Sequence, residues 1–392
     1  MWRAVGLREL LNLGVVIARG DLQRYARGQD GFTARFEQRL ARLVGVRHAL
    51  TVNSGSNALI AALAAAGIGP GDEVLVPAYT WVSTALAPLA VGAVPVLVNI
   101  DESLTIDPQD IERKITPFTR AIVPVHMQNA VCNMDAVMAI ARRHRLLVIE
   151  DACQAVGVRY KDRRVGGIGD LGVFSFNQHK NMSAGEGGAV LTNDDRWFER
   201  ARMFHDPGAF IRGHAPTDEP LFSALNCRVS ELTGAVLHAQ LGRLEPMLNT
   251  LRARYPGVAK LFAGQPHCRP SPHNDPENAV ALSVLFDDPQ EAKAFGQTRG
   301  AGRLIDTGRH VFTNWEAVLS KRWFHDRMNP HRWAPREVHY RAEDYQTTLD
   351  ILARTCRVSL GARYPAPVML LQKETLRAAI ARRSAQREGA LA

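Results

Sequence analysis

The sequence predicts an α/β protein: a largely parallel sheet covered by helices on both faces, followed by a smaller unit with β and α elements of its own. Three observations carry that expectation. Apolar, strand-like runs alternate with helical patterns through the first two thirds of the chain, which requires crossover connections. A polar, Pro-rich stretch at 264–278 then interrupts the pattern before new β and α signals begin. The chain has 392 residues, 46% of them hydrophobic, enough to bury a large core in each of two domains.

Taken in order, the strand-like runs are Val74–Tyr79, Val96–Ile100, Arg120–Val125, Leu146–Ala152, Gly172–Asn177 and Ala189–Thr192. Between and after them, Met134–Arg143, Arg196–Phe204 and Glu231–Leu251 have helical spacing, the last with a break or kink expected at Pro246. The domains are expected at 1–260 and 261–392. The apolar stretch Leu10–Ala18 is too short to span a bilayer and is followed by Arg19 and Gly20 rather than a cleavage site, which points to the cytoplasm. Five scattered cysteines without CxxC pairs read as free thiols in a reducing compartment.

The net charge of +9 comes mostly from residues 301–392, where 16 Lys/Arg face 9 Asp/Glu, an excess of 7. Arg377, Arg382, Arg383 and Arg387 fall on an expected closing helix, a solvated face or a field that attracts an acidic ligand. Neither a zinc-finger spacing nor an aromatic RNA-binding strand is present, so nucleic acid is not an expected partner.

In an open parallel sheet ligands bind at the carboxyl ends of the strands, and polar residues collect there in this chain. At Asn53-Ser54-Gly55-Ser56-Asn57 a small polar turn opens an Ala-rich helix. That turn is either an ordinary helix cap or a phosphate site made of backbone N–H groups and the Ser56 hydroxyl. It has no Walker lysine, so ATP is not implied. At Glu150-Asp151 two carboxylates close an apolar strand. A buried acid needs a partner, and a protonated pyridine nitrogen is one; no histidine stands at ligand spacing from Asp151, so no metal is expected. In GVFSFNQHKNMSAGEGGAVLTND (172–194) the strand carrying Ser175 ends, Lys180 follows five residues later, and a Gly-rich turn comes after it. An amine placed there can form a Schiff base.

Five ordered segments resemble the DegT/DnrJ/EryC1/StrS family of pyridoxal-phosphate-dependent sugar aminotransferases, a fold type I family of the aspartate aminotransferase superfamily. They are NSGSNAL (53–59), GPGDEVLVPAYTWVSTA (69–85), EDACQA (150–155), FSFNQHKNMSAGEGGAV (174–190) and LNCRVSELTGAV (225–236). The resemblance implies a large domain with a mostly parallel, seven-stranded sheet, a smaller C-terminal α+β domain, pyridoxal phosphate, and a homodimer with its active sites at the subunit interface. It makes Lys180 the cofactor-binding lysine and proton carrier, and Asp151 the partner of the pyridine nitrogen. Trp81 is expected to stack on the ring and Gln154 to contact its 3-hydroxyl side. Ser56, Ser175 and the backbone at Gly55 and Asn57 are expected to hold the phosphate, with Asn226 reaching it from the neighbouring subunit. Arg228 and Glu231 are expected to be structural ions near that interface.

The implied reaction moves an amino group from L-glutamate or L-glutamine to a keto or aldehyde sugar or a cyclitol. Related dehydratases of this fold carry histidine in the lysine slot. Here Lys180 occupies that slot, five residues after Ser175, and His179 precedes it. A dehydratase, an aminohydroxybenzoate-synthase-like enzyme or a non-catalytic regulator are the other readings. Asn177-Gln178 and His126-Met127-Gln128-Asn129 depart from the family pattern, the latter replacing a Gly-containing turn. For the acceptor the candidates are His126, His205, the loop 206–220, and His310 through Trp315.

Overall fold

A computed structural model of the chain describes residues 5–208, 219–362 and 364–391, with side chains as far as Arg382. Seven strands form the larger sheet: β1 (His48–Val52), β2 (Glu73–Pro77), β3 (Val94–Val98), β4 (Thr119–Ile122), β5 (Leu147–Asp151), β6 (Leu171–Ser175) and β7 (Gly188–Thr192). Their spatial order is β1-β7-β6-β5-β4-β2-β3. Only β7 runs against its neighbours; the remaining pairs are parallel. Strands such as EVLVP and VPVLV are buried at every position, as strands covered on both faces must be.

The covering helices are α1 (Leu7–Arg19), α2 (Phe32–Val44), α3 (Gly55–Ala65), α4 (Ser83–Ala90), α5 (Pro108–Lys114), α6 (Met134–His144), α7 (Asp195–His205) and α8 (Glu231–Ala259). Several begin where a side chain satisfies an orphan N–H: Ser54 for α3, Asn133 for α6, Asp194 for α7 and Ser230 for α8. The expected end of α8 near Leu251 is corrected: it runs on through Pro246 and Pro256 to Ala259. Its buried stripe Leu237, Leu241, Leu244, Leu248 and Leu251 spans Pro246, so packing outweighs the lost hydrogen bond there.

The second sheet is antiparallel, with β8 (Cys268–Pro270), β9 (Leu282–Phe286), β10 (Ala301–Arg303) and β11 (Thr355–Val358) in the order β8-β9-β11-β10. Helices α9 (Pro289–Gly296), α10 (Gln346–Arg354) and α11 (Ala366–Leu391) accompany it. The two sheets are stitched together at the end of β2. The Thr80 N–H donates to His310 O at 3.0 Å, and the Phe312 N–H donates to Ala78 O at 3.1 Å. That ladder brings residues 308–315 over the carboxyl edge of the larger sheet. Among the described residues, no helix is long and apolar enough to cross a membrane.

Candidate active site

The carboxyl ends of β1, β2, β5 and β6 and the amino end of β7 meet at one edge, and a cavity of about 630 Å³ opens there. At one end stand Ser54, Gly55, Ser56 and Ser175. The Ser54 hydroxyl caps α3 by accepting the Asn57 N–H at 3.1 Å, and the Ser56 hydroxyl donates to Ser83 Oγ at 2.8 Å. Gly55 is dictated by space: a Cβ there would lie 2.7 Å from Ser175 Cβ and 3.1 Å from Cys153 Sγ. Its absence lets the first turn of α3 close on the end of β6, leaving helix N–H groups and hydroxyls beside each other. Donors grouped in this way at a helix N-terminus are the kind of arrangement that suits an anion.

Asp151 ends β5 and lines the same cavity, with 4% of its surface exposed. Its Oδ2 accepts from the Thr84 hydroxyl at 2.8 Å and its Oδ1 from the Cys153 N–H at 3.1 Å. Thr84 in turn bonds the Thr80 hydroxyl at 2.8 Å, so the carboxylate is held in one orientation. Strand alternation turns Glu150 to the other face. There it accepts the backbone N–H groups of Gly166, Ile168 and Gly169 and contacts His126 Nε2 at 3.0 Å. The Cys153 thiol faces the cavity, but burial and then the Asp151 charge push its pKa well up. Both effects favour the thiol over the thiolate.

Lys180 lies on a loop that its own backbone closes. The Phe176 N–H donates to Gly187 O at 2.8 Å and the Gln178 N–H to Gly185 O at 3.1 Å, while Gly185 and Gly187 take left-handed φ values of 84° and 144°. Next to the lysine, the Asn181 amide donates to Asn129 Oδ1 at 2.7 Å and Val156 O at 3.0 Å. Lys180 itself has no ion pair or side-chain hydrogen bond with any described residue, so its amine is free for chemistry.

Trp81, Gln128, His310 and Arg357 complete the walls. Trp81 is 42% exposed, an unusual state for a tryptophan away from an interface or a ligand, and its ring lies 5.2 Å from that of His310. The His310 Nδ1–H donates to Thr307 O at 3.0 Å, so Nε2 is left as the free acceptor. Burial lowers the His310 pKa, and the charges of Lys180 and Arg357 lower it further, so the ring is neutral at pH 7. Gln128 and Asn129 stand at φ 50° and 72°, the left-handed conformation that glycine adopts without strain. The turn that lacks glycine in sequence thus keeps the shape of a glycine turn, and uses it to put two polar side chains on the cavity.

Of the residues singled out in sequence, Lys180, Asp151, Gly55, Ser56, Ser175, Trp81, Gln154 and His310 line this one cavity. Others stand elsewhere. The Asn57 amide donates to Asn53 Oδ1, and only its backbone N–H belongs to the turn. Asn226 is exposed, its Oδ1 accepting the Arg228 N–H at 3.2 Å, and does not line the cavity of its own chain. Arg228 pairs with Asp206, whereas Glu231 accepts the Thr33 N–H at 3.3 Å. Three acceptor candidates are displaced by burial. His126 is fully buried between Glu150 and the Cys132 N–H. His205 is fully buried, receiving the Tyr25 hydroxyl on Nε2 at 2.7 Å, while its Nδ1–H donates to Arg202 O at 2.6 Å. Trp315 is a core residue whose indole N–H donates to Arg309 O at 2.8 Å. Of the loop 206–220, positions 209–218 lie outside the described residues. Sequence reading missed Thr84, Gln128 and Arg357. Thr84 lay inside the recognised segment 69–85 and Gln128 inside the turn 126–129 noted as a departure, but Arg357 carries no local signal.

The model of the DegT/DnrJ/EryC1/StrS aminotransferase family matches residues 21–314. The chain belongs to that family. It is 41% identical over 220 residues to GDP-perosamine synthase of Caulobacter vibrioides, a match covering 55% of this chain and 58% of that protein. It is also 40% identical over 259 residues to L-glutamine:2-deoxy-scyllo-inosose aminotransferase of Micromonospora echinospora, covering 63% and 60%. The matches thus span about three fifths of the length of these curated relatives. Among solved structures, 3-amino-5-hydroxybenzoic acid synthase superposes with a TM-score of 0.82 at 26% identity, over 97% of this chain and 98% of that one. The architecture is fold type I, as in the aminotransferases of this structural class.

Proposed function

We propose that the protein is a cytoplasmic pyridoxal-phosphate-dependent aminotransferase that passes an amino group from L-glutamate or L-glutamine to a keto or aldehyde sugar or a cyclitol. The observation that carries this reading is the convergence of Lys180, unpaired, and Asp151, held by Thr84 and Cys153, on one cavity with an anion cradle at its end. The donor set fits the cofactor. Gly55, Ser56 and Ser175 suit its phosphate, Trp81 offers a ring face, Gln154 a polar contact and Lys180 an amine. When bound, pyridoxal phosphate supplies an electron sink for the charge left on the donor carbon as its proton departs.

The protein's own groups do the rest. Asp151 would hold the proton on the ring nitrogen of the cofactor. The Lys180 Nζ would take the proton from the donor carbon in the first half-reaction and deliver a proton to the acceptor carbon in the second. Asn226, exposed beside Leu221 and Leu225, suits a role in a partner subunit's phosphate site, and a homodimer with shared sites is part of the proposal. Residues 1–260 and 261–392 are proposed as the two domains, each with its own sheet.

The test is label transfer. With L-glutamine carrying ¹⁵N on its amino group and 2-deoxy-scyllo-inosose or a nucleotide-linked keto sugar as acceptor, mass spectrometry should find the label in the sugar or cyclitol product. Product that forms by loss of water with no donor present would replace this reading with the dehydratase one.

A further inference from the structure

Helix α1 turns its leucines outward. At about 100° per residue, Glu9, Asn12, Leu13 and Val16 fall on one side of it, and hydrogen bonds as well as apolar contact hold that side to the protein. Glu9, fully buried, accepts from the Gln240 amide at 2.8 Å and the Arg243 guanidinium at 2.7 Å, and the Asn12 amide donates to Ala235 O at 3.0 Å. All three partners stand on α8. Val16 and Leu13 pack with Phe32 and Ala235.

The opposite side carries no polar residue. Leu7, Leu10, Leu11, Gly14, Ile17 and Ala18 cover that arc, and all six are exposed, the four large ones at 60–69%. A Cβ on Gly14 would meet nothing within 4 Å, so no described residue covers the middle of the face. Val5 and Leu22, just outside the two ends of the helix in sequence, are exposed as well. Single apolar residues on a surface need no explanation, but a whole apolar face does. Along one border of it stand Arg8 and Arg19, both exposed, one near each end of the helix and so about 16 Å apart along its axis. Neither has an ion pair with a described residue. The one acid of α1 is Glu9, which faces α8. The outward face is therefore apolar with a purely basic border.

We propose that α1 lays this face on an anionic lipid surface, with its leucines in the headgroup boundary and Arg8 and Arg19 against lipid phosphates. A helix that lies in the plane of a membrane surface needs one apolar face, not the length that spanning takes. Charge selects this occupant over a second copy of the chain. An antiparallel two-fold pair of α1 faces sets Arg8 of one copy beside Arg19 of the other. A parallel pair sets each arginine beside the apolar border formed by Leu10 and Ile17, and neither arrangement offers it an acid. An anionic surface supplies the charge that the face lacks, and the chain's net charge of +9 favours the approach. The inference stands apart from the aminotransferase reading, since α1 contributes no residue to the Lys180 cavity.

The test is flotation of the purified 392-residue chain with vesicles of phosphatidylglycerol and phosphatidylcholine, and with vesicles of phosphatidylcholine alone. Wild type should float with the anionic vesicles and roughly tenfold less with the neutral ones. Leu10→Ser/Leu11→Ser should lower the partition coefficient roughly 30-fold or more, and Arg8→Gln/Arg19→Gln roughly tenfold or more on the anionic vesicles. Both variants should keep the wild-type circular dichroism and sedimentation coefficient. Wild type that stays with the soluble fraction overturns the proposal. So does flotation that Leu10→Ser/Leu11→Ser leaves unchanged, which marks adsorption of a basic chain by charge alone. An assembly that the leucine variant splits in sedimentation gives the face to a second copy and overturns it too. If Leu10→Ser/Leu11→Ser fails to fold, Leu7→Ser/Ile17→Ser on the same face decides between the same outcomes.

Discussion

Thr84 illustrates how much of this site is held by residues that do no chemistry themselves. Its hydroxyl fixes Asp151 from α4, one strand away, and replacing it with valine removes one hydrogen bond to a charged group while keeping the shape. Thr84→Val should slow the donor half-reaction about tenfold, and Asp151→Asn about a hundredfold or more, both read by stopped-flow absorption. His205 makes a different prediction. Burial, the largest cause, lowers its pKa from 6.5 to about 3. The unfolded chain therefore binds a proton below pH 6.5 that the folded chain refuses, and this contribution to stability is lost as pH falls from 6.5 toward 3. At most about 1.4 kcal/mol per pH unit is involved. Urea midpoints measured from pH 7 to pH 4.5 should fall less steeply in His205→Gln than in wild type.

At the scale of elements, the site depends on strand ends approaching more closely than side chains allow. A Cβ at Gly188, the first residue of β7, would lie 2.4 Å from Ser54 O, just where β1 turns into α3. Gly188→Ala should cost about 1–3 kcal/mol by thermal denaturation and loosen cofactor binding, because relief of the clash moves the anion cradle. Strands β2 through β7 announced themselves as apolar runs, and their polar ends marked Lys180, Asp151 and Ser175. Strand β1 did not, because His48 and Thr51 break up its apolar run. Its place beside β7 is a matter of long-range pairing rather than local pattern. His126 and His205 looked like ligand-reading polar groups, yet both are consumed by buried hydrogen bonds whose partners lie elsewhere in the chain. Arg357 was missed for the converse reason: only the docking of the second sheet gives it a cavity to face.

For the whole molecule, the division of labour between the two sheets has a consequence for assembly. The larger sheet supplies Lys180, Asp151 and the cradle; the second sheet and the segment stitched to β2 supply Arg357 and His310. Asn226 stands outside its own cavity, so the proposed dimer completes each site with a residue from the other chain. Mixing Lys180→Ala subunits with Asn226→Ala subunits, each deficient alone, should then restore roughly a quarter of wild-type sites, since half the dimers are mixed and each has one intact site. Activity that stays at the level of the separate variants would remove Asn226 from the shared site.

That Lys180 and Asp151 form an aminotransferase centre is tested most directly by the absorption spectrum of the purified protein before and after addition of L-glutamate or L-glutamine. Such a centre should show a bound-cofactor band that one of these donors shifts to the aminated form, and Lys180→Ala should lose that shift. A protein that carries no cofactor, or a Lys180→Ala variant that responds to donor as wild type does, would contradict it.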